Sequence, residues 1–499
     1  MPSQRFVLLI ALLNVAIHLV IAQNLGYHRD ELLYFAQGLH PACGYQSVPP
    51  VTAWLAAAVR LTAGTSVFAV RLLPALGSGL LVWLVARLCA RLGGSPRSRI
   101  FAAALVLLVP GFMRTFGLFQ PVWIELLWWS AITLALLGYL ATRRPGQLYL
   151  VGLLCGLAML TKYLAALWII ALISGLALGP HRQLFKNPHL YGAFALALLV
   201  FSPNLIWQIN RGFPVFQHLQ ELSSSQLANV DRLTFLSEQL LINFLAAPVS
   251  VLGLWRLCRS ARYRFIGIAA VLVLIVLLAA RGKSYYALGI YPVLLAAGSI
   301  SLESIFAKKW QLAAAYGLAF LLTLPIVPIG MPVFKSPALV RYFSWVERHT
   351  GLQPGRRYED GRVRQLPQDY ADQIGWQELT AVTARAWRQV PDPAAAAIYA
   401  ENYGQAAAIA VIGRRQNLPP PLSFSESFFY WVPRRFSPDL TSFIYINDSL
   451  GSDVAAQFAT CRAVGGITDP TAREYGTTVY LCTRPRGSFN VFWAGVSAG

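Results

Sequence analysis

Four ionisable side chains stand together at His28, Arg29, Asp30 and Glu31, directly after the nearly pure hydrocarbon run from Phe6 to Ala22. A carboxylate at the wet end of an apolar helix can act as a general base, bind a metal, or simply favour the positive end of the helix that it starts. Asp30 opens the helical pattern Leu32, Leu33, Phe35 and Ala36, so a solvated helix start is the plain alternative to chemistry. On a regular helix Tyr34 shares the face of Asp30, while Glu31 points about 100° away. The two carboxylates therefore cannot both face one substrate. Asp30 is the catalytic candidate, and Glu31 supports it, holds Arg29 or binds a metal.

Other candidates lie further along the chain. Glu125, in Phe119-Gln120-Pro121-Val122-Trp123-Ile124-Glu125-Leu126, falls one turn inside an apolar segment. It is either a carboxylate paired with Arg114 or Arg71, or a second catalytic acid. Lys162 is the sole Lys or Arg between Arg144 and Arg182 and separates two short apolar halves. A Lys at a helix end can snorkel to water, and a broken helix pair exposing a cation can also form an anion site. Arg281, Lys283 and Tyr286 lie in the basic stretch Arg281-Gly282-Lys283-Ser284-Tyr285-Tyr286, and such cations suit phosphate oxygens. His28 and Arg29 are further candidate phosphate contacts. One carboxylate and several cations suffice for inverting sugar transfer, since the acceptor hydroxyl needs a base while a lipid-phosphate leaving group needs no acid. A divalent metal held by Asp30, Glu31 and His28 stays open.

The elements that must position these groups belong to a membrane protein. Of 499 residues, 56% are apolar and only 12% charged, against about 25% charged in soluble domains. A hydrocarbon layer of ~30 Å needs about 20 apolar residues of helix. About eleven such spans are expected, near 5–25, 64–88, 99–113, 121–141, 147–161, 163–179, 190–207, 236–256, 264–281, 284–303 and 311–330. Residues 1–330 hold 24 Lys and Arg but seven acids, and the remaining 169 residues hold 17 basic and 14 acidic groups. The net charge of +20 thus reflects short membrane loops, and nucleic-acid binding is set aside. The basic loops alternate, which predicts a cytoplasmic N-terminus. The first loop, 26–63, the loop 208–235 and everything after residue 332 then lie outside, in a periplasm-like compartment. Within the first loop, the Pro49-Pro50 pair and Trp54 suggest a helix lying at the interface.

Residues 333–499 form the second expected unit, a periplasmic α/β domain. Its short apolar strands are expected at 395–400, 405–412, 442–446, 454–460 and 477–482, alternating with helical patterns. Cys461 and Cys482 could form a disulfide in an oxidising space.

The motifs resemble, as a set, those of the polytopic GT-C glycosyltransferases. The similar group is the bacterial family 39-like one, related to protein O-mannosyltransferases, aminoarabinose transferases and lipopolysaccharide galacturonosyltransferases. The resemblance rests on Gly26-Tyr27-His28-Arg29-Asp30-Glu31-Leu32, the Gly44-Tyr45 to Pro49-Pro50 segment, Gly156 to Lys162, Phe201 to Gln208 and Gly282 to Ala287. It implies an α-helical polytopic membrane protein of GT-C type with a C-terminal extracytoplasmic α/β domain. It also implies a polyprenyl-phosphate sugar donor, an extracytoplasmic glycan, lipid or protein acceptor, and surrounding membrane lipids. By the same resemblance Asp30 matches the family's catalytic first-loop acid, and Lys162 and Lys283 to Tyr286 match segments lining its lipid-phosphate cavity. Aminoarabinose transferases carry a Lys just before the Pro of the first-loop motif, where this chain has Val48. That departure shifts phosphate duty to Lys162, Arg281 and Lys283. A transporter or lipid flippase with an outer lid domain is the alternative, although neither a repeat nor acids at mid-membrane beyond Glu125 and Glu303 support it.

Overall fold

The computed structural model describes residues 2–225, 231–306 and 308–497. All eleven expected apolar spans are helical. Seven helices among the described residues are long and apolar enough to cross a membrane: Ser3–Ile21, Val67–Arg91, Pro121–Thr142, Pro188–Asn210, Arg232–Arg259, Ser284–Ile305 and Trp310–Gly330. Pro96–Val106 and Pro110–Phe116 form a pair bent by 65°. The bend falls at Pro110, which has no N–H and forces Val109 into extended backbone. Three expected spans, Pro145–Met159, Ala165–Leu178 and Arg264–Ala279, are shorter apolar helices. The first loop carries a helix, Val51–Thr62, where an interfacial one is expected. Of the expected loop 208–235, residues 226–230 lie outside the described residues.

Pro121–Thr142 runs through the middle of the bundle and is the most buried span, whereas Ser3–Ile21 and Trp310–Gly330 turn most of their surface outward. Lipid is as apolar as leucine, so helices gain by close backbone contact at small residues rather than by escaping solvent. Gly253 and Gly298 show this between helices Ala247–Arg259 and Tyr291–Ile305: a Cβ on either would lie 1.9 Å from the carbonyl oxygen of Leu294 or Val249.

The C-terminal region holds a four-stranded sheet of β1 (Ala396–Ala400), β2 (Ser442–Asn447), β3 (Phe458–Gly466) and β4 (Thr478–Pro485), in the order β1-β2-β4-β3. The β1–β2 pair is parallel and the others are antiparallel. Alternation sends Ile398, Ile444, Ile446, Val479 and Leu481 to the core shared with helices Trp376–Trp387 and Tyr403–Val411. Tyr399, Phe443, Tyr445 and Phe458 go to a second, aromatic core with Phe489 and Trp493. Cys461 and Cys482 face each other across β3 and β4 and are joined by a disulfide.

Two expected strands differ. Residues 405–411 belong to helix Tyr403–Val411, with Ile412 as its C-cap, because Asn402 and Gln405 form a capping box ahead of an alanine-rich run. Residues 454–460 divide between helix Ser452–Gln457 and the start of β3.

Candidate active site at the first loop

Helix Arg29–Gln37 starts with a capping box. His28 Nδ1 accepts from the Asp30 amide at 3.1 Å, and Glu31 Oε2 accepts from the His28 amide at 2.8 Å. This fixes the rotation of the first turn and separates the two acids as the helical geometry predicts.

Glu31 is fully buried and faces inward. Its oxygens accept from Arg71 Nε at 3.1 Å, Arg71 Nη2 at 3.0 Å and the Phe119 amide at 2.9 Å. Burial alone would raise its carboxyl, but Arg71 and the surrounding donors hold it below the usual range. Arg71 also donates to the carbonyls of Ala22 and Gly26 and to Gln373. Glu31 thus holds Arg71, not Arg29, and the pair ties the first loop, a long membrane helix and the C-terminal region together. The placement is that of a structural hub with no surface left for a substrate.

Asp30 keeps 29% of its side chain exposed. Its Oδ1 accepts from the Tyr403 hydroxyl at 2.9 Å and its Oδ2 from Gln120 Nε2 at 3.1 Å. Burial and the neighbouring Asp30 charge push the Tyr403 phenol well above its ordinary value, so it remains a donor. Tyr34 lies within electrostatic reach of Asp30, Tyr403, Glu426 and Tyr286. Glu426, from the C-terminal region, has a carboxyl pushed up to about 7 by burial.

Lys162 Nζ lies 2.9 Å from Glu125 Oε2 and 5.0 Å and 5.5 Å from the ring centres of Tyr286 and Tyr285. Glu125 therefore pairs with Lys162, while Arg71 goes to Glu31 and Arg114 to Asp369. The sequence motifs converge to hold this turn. Asn204 Oδ1 accepts from the Tyr163 hydroxyl and its Nδ2 donates to the Cys43 carbonyl, while Gln208 donates to the same Tyr163 hydroxyl. The Val51 amide donates to the Leu160 carbonyl. Gly44 is needed where the loop crosses Trp207, since a Cβ there would lie 2.5 Å from the indole.

The remaining predicted residues are placed differently. His28 and Arg29, expected at the donor phosphate, are buried against the C-terminal region: His28 Nε2 faces Asp372 Oδ2 at 3.8 Å, and the Arg29 guanidinium lies 4.2 Å over the Tyr403 ring. Lys283 pairs with Glu359 at 2.7 Å. Arg281 follows helix Arg264–Ala279 at an exposed turn with φ 53°. Together with Arg114–Asp369 and Arg473, which reaches both Asp372 and Glu359, these contacts form a belt of charge between membrane helices and residues 359–372.

Within the belt, His28, Asp369 and Asp372 bring ligand atoms within 4.8 Å of one another, so the metal-like grouping differs from the expected Asp30, Glu31 and His28. It does not fit a cation. The Asp30 amide occupies His28 Nδ1, which leaves the proton on Nε2, the atom aimed at Asp372. Arg114 and Arg473 already neutralise the two carboxylates. Burial raises the Asp372 carboxyl, whereas Arg114 outweighs burial and lowers that of Asp369.

Tyr403, Gln120, Asp369, Asp372 and Glu426 escaped the sequence reading. Gln120 lay inside a quoted motif, five residues before Glu125. The others come from a segment more than 300 residues away, and no local pattern links it to the first loop.

Residues 47–207 match the family model described as dolichyl-phosphate-mannose-protein mannosyltransferase. The lipid A galacturonosyltransferase RgtD of Rhizobium johnstonii is 27% identical over 195 residues, which is 39% of this chain and 41% of that protein. The match thus spans under half the length of this curated relative. ArnT of Cupriavidus metallidurans in the apo state superposes with a TM-score of 0.65 at 14% identity, over 96% of this chain and 98% of that one. ArnT bound to undecaprenyl phosphate gives 0.63 at 15% identity, over 95% and 97%. At such identity these two likenesses establish the fold.

Proposed function

We propose that this chain, an integral membrane protein of the GT-C glycosyltransferase superfamily by fold and family match, moves a sugar from a polyprenyl-phosphate donor to a hydroxyl of an envelope acceptor with inversion. The observation that carries the proposal is a partly open carboxylate, Asp30, at the first-loop end of the bundle, with a tyrosine-flanked cation, Lys162, whose neighbour Tyr286 shares electrostatic reach of Tyr34 with Asp30. In this reading Asp30 takes the proton of the acceptor hydroxyl while Tyr403 and Gln120 hold its two oxygens. Lys162, kept in place by Glu125, faces the donor phosphate and stabilises the charge left on it when the glycosidic bond breaks. The structure of ArnT with undecaprenyl phosphate supports a polyprenyl phosphate as the carrier. The RgtD likeness supports lipid A as an acceptor class.

Asp30→Asn keeps the size of the side chain and an acceptor oxygen for Tyr403, but its amide nitrogen cannot accept from Gln120 and the side chain cannot take the proton. In proteoliposomes with a polyprenyl-phosphate sugar and an envelope glycolipid, transfer is expected to fall by roughly 10²- to 10⁴-fold with unchanged expression. Transfer at the unmodified rate would remove Asp30 from the mechanism. Movement of labelled sugar lipid across the bilayer without transfer would favour the flippase.

A further inference from the structure

The end of the bundle remote from Asp30 holds a second polar site. Helix Val67–Arg91 starts beside the first loop, where Arg71 meets Glu31, and ends next to Leu92. At ~1.5 Å per residue this places Leu92 roughly 30 Å from the Glu31 hub. There a cleft of about 280 Å³ opens between Leu92, Trp255, Arg256, Arg259, Ser260 and Tyr263.

Its lining carries Arg256 and Arg259 and no carboxylate, and Glu303, at the same end of the bundle, accepts from Ser95. Arg256, Arg259, Arg262 and Arg264 stand within nine residues, and no Asp or Glu occurs between Glu238 and Glu303. None of the ion pairs among the described residues involves these four arginines. Basic residues at a helix C-terminus suit the helix dipole, but that role requires neither a cleft nor aromatic neighbours. Arg256 and Arg259, three residues apart, share a helix face. The Arg259 guanidinium lies 5.2 Å over the Trp255 ring, and the Tyr263 hydroxyl donates to the Arg91 carbonyl at 3.2 Å. Trp255 and Val251, one turn apart on the same helix, are 55% and 62% exposed. Tryptophan favours headgroup depth, and basic pockets between membrane helices bind anionic headgroups.

The geometry points to a binding site for an anionic phospholipid, with its phosphate on Arg256 and Arg259 and its acyl chains along Trp255 and Val251. Planar guanidinium groups pair with phosphate oxygens in a fork. A zwitterionic lipid presents an ammonium beside its phosphate, and nothing acidic lines the cleft to receive it. The site is independent of the transfer reaction proposed above.

Native mass spectrometry of the full chain from mixed phosphatidylglycerol and phosphatidylcholine micelles reads lipid retained on folded protein alone. The intact protein is expected to keep phosphatidylglycerol by about tenfold or more. Arg256→Gln/Arg259→Gln is expected to lose that preference, and Arg259→Gln alone, at an exposed position, to weaken it. Arg144→Gln, at an exposed basic position outside the cleft, should retain it. Equal retention of both lipids by the intact protein, or a preference that survives the double substitution, would overturn the proposal. Displacement of bound phosphatidylglycerol by an equal concentration of glycerol 3-phosphate would overturn it too, because the site would then be one for a soluble phosphate.

Discussion

Neighbouring carboxylates of the same charge and chain position play unrelated parts here. Asp30 is partly open and holds two neutral donors, whereas Glu31 is buried and bound to Arg71. Removing one partner of a buried ion pair strands the other, typically at about 3 to 5 kcal/mol. Glu31→Gln should therefore lower thermal stability markedly and Asp30→Asn should not, as unfolding of the two purified variants in detergent would show. The sign of the Glu31 shift adds a pH dependence. A carboxyl held low in the folded state contributes stability above its unfolded value, and that contribution is lost as the pH falls through the folded one. Equal melting of both variants and the native chain near neutral pH would remove the hub role. The separation itself was legible in sequence, because 3.6 residues per turn puts adjacent side chains on different faces. The partners were not: Arg71 lies 40 residues from Glu31 and Tyr403 lies 373 from Asp30.

At the scale of elements, helix Tyr403–Val411 sets Asp30 against the C-terminal region. Its first residue, Tyr403, touches both Arg29 and Asp30, and Asn402 caps its N-terminus by accepting from the amides of Gly404 and Gln405. Asn402→Ala should cost about 1 kcal/mol and, in the proposed mechanism, lower the turnover number more than the affinity for donor, since there the loosened tyrosine orients the base rather than the lipid. A kinetic comparison with Tyr403→Phe checks this, and unchanged turnover in both would detach the helix from the reaction. This segment was expected to be a strand. Its short alanine-rich stretch carries no strong periodicity, and the capping box, readable as Asn402 and Gln405, was the local signal that decided for helix. The long apolar spans were readable because a membrane demands about 20 residues of helix. The bent pair and the three short helices show that buried segments can be shorter.

For the whole molecule, the charge belt fixes how the C-terminal region rests on the bundle, and the alternation of basic loops predicts the orientation of both in the membrane. On the proposed orientation, with the N-terminus inside, a cysteine placed at exposed Leu352 in a Cys43→Ser background should react with an impermeant maleimide added to intact spheroplasts. Labelling only after lysis would invert the proposed orientation and put Asp30 in the wrong compartment for an envelope acceptor. By itself the sequence determined a helical membrane bundle followed by an α/β region, and it singled out Asp30, with Lys162 as one of several candidate cations. Span length, charge bias and helical periodicity are local properties that one stretch of chain can express. Only the tertiary structure decided that Glu125 serves Lys162, that Glu31 serves Arg71, and that Tyr403, Asp369 and Asp372 reach the first loop. Those pairings depend on which remote segments meet, and a buried charge takes whichever opposite partner the packing brings within a few ångströms.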